Sequence, residues 1–321
     1  MKVLVTGAAG FIGSHVTNAM HEAGHDVYPI DNNFVENISY QRLREFLKVK
    51  PLLIDLLDYG DLHTLCMEEE FDAVYHFAGL GSVKESEEDP GFCCQSNIEI
   101  FANVLQACRH AGIKKVIHAS SSSVYGDGMC SEYYENPTPV NVYGAAKKAA
   151  EVMAEVFCNE YNINVTSLRF FTVYGPWGRP DMAIWKFTES LVNGETLSLY
   201  NEGKYKRDFV YVDDVVSAVM RTADPSFDTS GIINVGSGKS VSLTYVVQKL
   251  VEILTHRKVY TQSAIDYLPS TGIDPESTQA DLSEMVRLLK CLPHYSIEAG
   301  LERFVDWYLK TQKIPSGHRR I

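Results

Sequence analysis

The sequence predicts an α/β fold, a doubly wound parallel sheet followed by a smaller C-terminal α/β substrate domain. Three observations carry this. Apolar runs of strand length alternate with helix-length amphipathic segments from Lys2 to about Leu168. The first run leads directly into a glycine turn and a helix. After Gly175 the texture changes, and turn-rich stretches such as Pro176-Trp-Gly-Arg-Pro180 and Asn201-Glu-Gly-Lys204 separate irregularly mixed elements.

Lys2-Val-Leu-Val-Thr6 reads as the first strand. Gly7-Ala-Ala-Gly10-Phe-Ile-Gly13 follows, then a helix with Phe11, Ile12, Val16, Ala19 and Met20 on one side and Gly24 as its stop. Strand, glycine turn and helix form the context that a Rossmann-type dinucleotide fingerprint requires. Gly7 permits the tight turn, Gly10 lets a pyrophosphate approach the backbone, and Gly13 lets helix pack on strand. A ligand-free βα turn is the alternative. The second strand, Asp26-Val-Tyr-Pro-Ile30, ends at Asp31. A carboxylate there accepts from a ribose 2′-OH and repels a 2′-phosphate, which predicts NAD rather than NADP. Asn32 and Asn33 follow, so Asp31 also suits a turn. A third run, Leu52-Leu-Ile54, ends at Asp55, and a fourth, after Val74, ends at Phe77-Ala-Gly79. Both ends fall where a cofactor edge would lie.

The fifth run, Lys115-Val-Ile-His-Ala119, closes in Ser120-Ser-Ser-Ser-Val-Tyr-Gly126. Its hydroxyls would sit at the C-terminal end of a strand, where open α/β sheets build their sites. Tyr143-Gly-Ala-Ala-Lys147 follows on a helix. A Tyr and a Lys four apart share one helix face, where Lys147 would favour the phenolate and draw the Tyr143 pKa below its usual value of about 10. A Tyr that loses its proton near neutral pH is a general base for an alcohol. The spacing recurs at Tyr200…Lys204 and Tyr245…Lys249, without strand-end serines before it. Any isolated copy fits a half-buried Tyr beside a snorkelling Lys.

The 321 residues suffice for one large or two modest domains, here 1–173 with a return segment near 208–238, and 174–321. Hydrophobic residues make up 45% and charged ones 22%, an ordinary globular balance. A net charge of −12 argues against nucleic acid or an anionic membrane surface as partner, so an anionic substrate needs local Arg and Lys. No run approaches membrane-span length, and the N-terminal run is too short for a signal peptide. Seven scattered cysteines without C-x-x-C predict packing cysteines in a reducing cytoplasm. Ten histidines lack ligand spacing, so no metal is expected, and His76 reads as a core residue. The final helix reads from Ile297 to Tyr308, with a frayed tail from Ser316. The helix bearing Lys147, Ala150, Met153 and Ala154, and the one near Ile98, Ala102 and Leu105, are apolar enough for a four-helix seam in a homodimer; the alternative is that both merely cover the sheet.

Gly7, Gly10 and Gly13, Asp31, Ser121 with Tyr143 and Lys147, and Arg207-Asp-Phe209 together resemble the extended short-chain dehydrogenase/reductase family over nearly the whole chain. Within it, Arg169-Phe-Phe-Thr-Val-Tyr-Gly-Pro-Trp-Gly-Arg-Pro-Asp-Met182 and the serine run are similar to nucleotide-sugar 4-epimerases acting on UDP-glucuronate. The resemblance implies that Tyr143 is the base on the sugar 4-OH, that Ser121 hydrogen-bonds the same hydroxyl, and that Lys147 holds the nicotinamide ribose. It implies that Arg207 meets the diphosphate, that Thr172 lies along the substrate, and that Arg179 with Ser122 and Ser123 holds the C6 carboxylate. Arg suits that role as a planar fork; the alternative is a surface Arg in a proline-rich loop. The implied cofactor surface adds Phe11, Ile12, Asn32, Asp55, Leu56, Phe77, Ala78, Gly79, Asn97, Phe170 and Val173. The implied substrate surface adds Lys84, Lys186, Tyr200 and Asp274.

His76-Phe-Ala-Gly-Leu-Gly-Ser-Val-Lys-Glu-Ser86 looks closer to UDP-galactose 4-epimerases, with Gly81 where a Lys is expected. The Gly272-Ile-Asp-Pro275 segment departs from the usual spacing. Ser122 and Ser123 stand where sugar 4,6-dehydratases carry an acidic pair and the related decarboxylases a Glu, which leaves reduction as the fate of a 4-keto sugar. The resemblance therefore implies an NAD-dependent isomerase of carbohydrate metabolism that inverts C4 of UDP-glucuronate. The alternatives are a UDP-glucose/galactose 4-epimerase, a UDP-glucuronate decarboxylase or 4-ketoreductase of the same fold, and a catalytically silent NAD-binding scaffold.

Overall fold

The structure is a computed structural model that describes residues 1–32, 38–127, 129–270, 272 and 275–312, the side chains of 38–40 excepted. Asp274 and the tail from Ser316 lie outside the described residues. The described residues form twelve strands: β1 (Lys2–Thr6), β2 (Asp26–Asp31), β3 (Leu52–Leu53), β4 (Ala73–His76), β5 (Lys115–Ser121), β6 (Asn164–Phe170), β7 (Thr172–Tyr174), β8 (Leu197–Tyr200), β9 (Lys206–Tyr211), β10 (Gly231–Val235), β11 (Ser240–Ser242) and β12 (Ile265–Leu268). Seven of them form one sheet in the order β10-β6-β5-β4-β1-β2-β3, and every pairing in it is parallel. The order reverses between β1 and β4. Such a switch point opens a crevice at the strands' C-terminal ends.

Both faces of this sheet are covered, so its inner strands β1, β4, β5 and β6 are buried along most of their length rather than on alternate residues. Val3 and Val5 of β1, Tyr75 of β4 and Ile117 of β5 pack into one core. Leu4, Val74 and Val116 point to the other. The third apolar run departs from expectation. Only Leu52 and Leu53 are extended, and both are exposed, because β3 is the sheet's outer edge.

β7 crosses position 173 and pairs with β9, which also pairs with β11; β8 and β12 form a separate pair. The chain returns to the large sheet through β10, beside β6. The last helix runs Ile297–Thr311. Among the described residues no helix is long and apolar enough to cross a membrane. The helix residues named for a dimer seam divide: Lys147, Ala150, Ala154 and Leu105 are buried against the sheet within one chain. The large apolar side chains exposed on helix Val142–Tyr161 are Val152 and Val156.

Candidate active site

Gly7 follows β1 with φ +66°, and a Cβ there would lie 2.5 Å from the Ala78 nitrogen, so the turn admits only glycine. A Cβ on Gly13 would stand 2.1 Å from the Gly7 carbonyl oxygen. These contacts press β1, the end of β4 and helix Phe11–Glu22 together. Gly10 begins that helix with no side-chain cap and no acid in its first turn. Its N-terminal amides are therefore suited to an anion. Asp31, at the end of β2, accepts from the Ala9 amide at 2.9 Å and so also braces the turn. Phe11 and Leu56 are buried; Ile12, Phe77 and Ala78 are half-buried; Asn32, Asp55 and Gly79 are exposed. Asp55 accepts from the Leu57 amide.

Asn97 is 1% exposed and donates to the Cys93 carbonyl at 3.0 Å, while its Oδ1 has no partner among the described residues. A Cβ on Gly79 would lie 2.7 Å from that oxygen and 3.5 Å from Lys147 Nζ. An orphaned acceptor and an ammonium thus converge where Gly79 keeps the space open, with Phe77 and Phe170 rings 6.4 Å apart alongside and Val173 buried nearby in the same core. This donor and acceptor set, with the glycine cradle and Asp31, fits a dinucleotide.

β5 delivers Ser121 to the same edge, where its hydroxyl accepts from the Ser123 amide at 3.1 Å. Asn141 caps the next helix by accepting from Gly144, which seats Tyr143 in the first turn and Lys147 one turn later. Lys147 Nζ donates to the Ala119 carbonyl at 2.9 Å and lies 6.0 Å from the Tyr143 ring centroid. Burial pulls the Lys147 pKa down to about 8. The expectation that Lys147 lowers the Tyr143 pKa is corrected: burial raises it, and the opposing pulls come from the nearby Ser121 hydroxyl and the charge of Arg179. His76, expected in the core, is 1% exposed and shares a 2.7 Å hydrogen bond with Thr6; burial holds its pKa near about 3.

Thr172 and Arg179 line a shallow cleft with Phe11, Gly178, Met182 and Trp185. Tyr143 is outside its lining, but Arg179 links the two, since the charges of phenol and guanidinium act on each other. Arg179 donates through Nε and Nη2 to Asp181, and its Nη1 lies 2.6 Å from where a Cβ of Gly81 would be. Ser122 and Ser123 are half-buried. Arg207 donates to the Lys206 carbonyl and stacks 5.0 Å from the Tyr205 ring. Three other expected substrate residues face solvent. The Lys84 side chain is 83% exposed, 3.6 Å from Glu88. Lys186 is exposed on helix Ala183–Asn193, and Tyr200 is 46% exposed at the end of β8. Of the other Tyr…Lys pairs, the Tyr245 phenol donates to Glu298 and Lys249 pairs with Glu252.

Motif reading missed Arg42, Glu151, Arg169 in its contact role, and Asp181. Arg169 and Glu151 form a buried pair: Nε and Nη2 donate at 2.8 and 2.7 Å, and Ser120 adds a third donor at 2.6 Å. The one available signal was Glu151, a further helical turn beyond Lys147 on the same face.

The fold and this set of side chains are those of a nicotinamide-dependent enzyme acting at an alcohol carbon. The chain belongs to the NAD-dependent epimerase/dehydratase family, whose model matches residues 3–236. NAD is the cofactor of that family, in agreement with the reading of the glycine turn. The chain is 36% identical to UDP-glucuronate 4-epimerase 3 of Arabidopsis thaliana, over 96% of this chain and 76% of that protein. It is 34% identical to UDP-glucuronate 4-epimerase of Thermodesulfobacterium geofontis, over 95% of each. UDP-glucuronic acid 4-epimerase from Bacillus cereus, solved with UDP-glucuronic acid and NAD, superposes with a TM-score of 0.89 at 30% identity, covering 97% of this chain and 100% of that one.

Proposed function

We propose that the protein is an NAD-dependent epimerase that inverts C4 of a UDP-sugar, with UDP-glucuronate and UDP-galacturonate as the pair it interconverts. The observation that carries the sugar's identity is Arg179, whose guanidinium lines the cleft that Thr172 also lines and stands against Gly81, where no side chain blocks it. A planar cation beside the base suits a carboxylate one carbon beyond the ring. The names of the relatives support the same substrate.

Bound NAD supplies the hydride acceptor and donor for C4. Tyr143 takes the 4-OH proton and later returns one, and Ser121, at the end of β5, supplies a second hydroxyl to orient the sugar 4-OH. Lys147, fixed to the Ala119 carbonyl, presents its ammonium beside Gly79 and Asn97 for the nicotinamide ribose. Arg207 takes the diphosphate. Ser122 and Ser123 offer hydroxyls where elimination or decarboxylation would need a carboxylate. Holding the sugar by both ends supplies much of the rate through positioning.

We assign residues 1–173, with a return segment near 208–238, to NAD binding and 174–321 to the substrate; within that return β10 rejoins the large sheet while β9 pairs in the smaller one. We further infer a cytoplasmic homodimer, with Val152 and Val156 in its seam. One observation favours a neutral sugar instead: Asp181 already occupies two donors of Arg179. Incubation with UDP-glucuronate and, separately, UDP-galactose, followed by product NMR, tests the reading. Preferential formation of UDP-galacturonate supports it; preferential conversion of UDP-galactose rejects it.

A further inference from the structure

Arg42 belongs to none of the motifs above. It sits on helix Ile38–Glu45 and is 2% exposed. Its guanidinium donates to carbonyls of two segments far apart in the chain. Nη1 reaches Ala9 at 3.1 Å, inside the glycine turn. Nε reaches Trp177 at 2.7 Å and Nη2 reaches Gly178 at 3.1 Å, immediately before Arg179. Burial and the neighbouring charge of Arg179 draw the Arg42 pKa down to about 10, against the support of Asp31 and Asp181.

The loop it holds is also held against its own preference. Trp177 has φ +59°, a left-handed conformation that a bulky residue adopts only when the surroundings impose it. Phe46, just past the same helix, stacks on the Trp177 ring with centroids 5.5 Å apart and an interplanar angle of 25°. Gly175 has φ +151°, and a Cβ there would lie 2.5 Å from Val212. One segment, residues 38–46, therefore grips the loop by its carbonyls and its ring, and grips the cofactor turn through the same guanidinium.

We infer that Arg42 is a positioning residue that couples the glycine turn to the loop carrying Arg179, so that the seating of the cofactor and the aim of the substrate-binding guanidinium depend on each other. The inference rests on the reading of Arg179 as the partner of the sugar carboxylate. The geometry asks for Arg in particular. Three N–H groups fixed in one plane reach three acceptors, whereas a Lys ammonium is a compact point on a flexible stem.

The test is a double-mutant cycle on the holoenzyme, with wild type, Arg42→Lys, Arg179→Ala and the double variant assayed on UDP-glucuronate, and with NAD retained after gel filtration measured in parallel. Arg42→Lys is expected to raise KM about tenfold, with a smaller effect on kcat, and to lose NAD faster than wild type. In the Arg179→Ala background the same change should move KM less than about twofold. Equal effects in both backgrounds, or wild-type NAD retention in Arg42→Lys, overturn the coupling. If Arg179→Ala leaves KM unchanged, the carboxylate reading fails on its own, because that variant keeps Arg42 intact; NAD retention in Arg42→Lys then decides the cofactor half. Should Arg42→Lys not fold, Phe46→Leu releases the Trp177 ring without touching the guanidinium. It should raise KM about threefold only when Arg179 is present, and an equal rise without Arg179 overturns the inference.

Discussion

Glu151 accepts two hydrogen bonds from Arg169, at 2.8 and 2.7 Å, and a third from Ser120 at 2.6 Å, with all three residues buried. The pair ties the helix of Tyr143 and Lys147 to β5 and β6, and Arg169 also lies 4.5 Å over the Tyr125 ring. Glu151→Ala would leave a buried guanidinium without its carboxylate. Loss of one partner from such a pair costs about 3–5 kcal/mol. Urea titration should show that loss, and a variant as stable as wild type would mean that water replaces the carboxylate.

Tyr143→Phe keeps the ring and removes the hydroxyl proposed as the base on the sugar 4-OH. Turnover should fall about 10²–10⁴-fold while NAD and UDP-sugar still bind. Steady-state kinetics beside equilibrium binding checks this. A near-wild-type rate would remove Tyr143 from the mechanism.

Lys147 is an ammonium below its lowered pKa of about 8 and neutral above it, whereas an unburied lysine holds its proton to near 10.5. The cation's grip on the cofactor should therefore weaken as pH rises through about 8, and not as it falls. The groups facing Nζ are Tyr143, Cys93, Glu151, His76 and His118, and both imidazoles stay neutral because burial lowers their pKa values. NAD retention measured against pH should show this alkaline limb in wild type and lack it in Lys147→Met.

Asp31→Ala should weaken NAD and narrow the preference over NADP, since a carboxylate repels a 2′-phosphate. The loss will include some turn stability, because Asp31 also holds the Ala9 amide. Cofactor exchange followed by spectroscopic titration measures both. A protein that retains NADP in preference to NAD before mutation would contradict the role.

The first strand, the glycine turn and the Tyr143–Lys147 helix were legible because each is a local pattern whose chemistry fixes its geometry. Gly7 and Gly13 leave no room for a Cβ, so the motif and the fold carry the same information. The rest depends on contacts between distant segments. Nothing in the periodicity around Arg42 announces acceptors at positions 9, 177 and 178. Lys84 shares a segment with the cofactor edge, yet helix Val83–Glu88 turns it to solvent. Leu52-Leu-Ile54 read as a third apolar run, but hydrophobicity does not show that β3 is the sheet's exposed edge.

The central claim is that Arg179 selects a sugar with a C6 carboxylate, and competition between UDP-glucuronate and UDP-galactose in wild type and Arg179→Ala tests it most directly. Wild type should favour UDP-glucuronate, and Arg179→Ala should lose about 1.5–3 kcal/mol of transition-state stabilisation on that sugar, roughly 10–150-fold in kcat/KM, with little change on UDP-galactose. Equal losses on both sugars, or a wild-type preference for UDP-galactose, would contradict it.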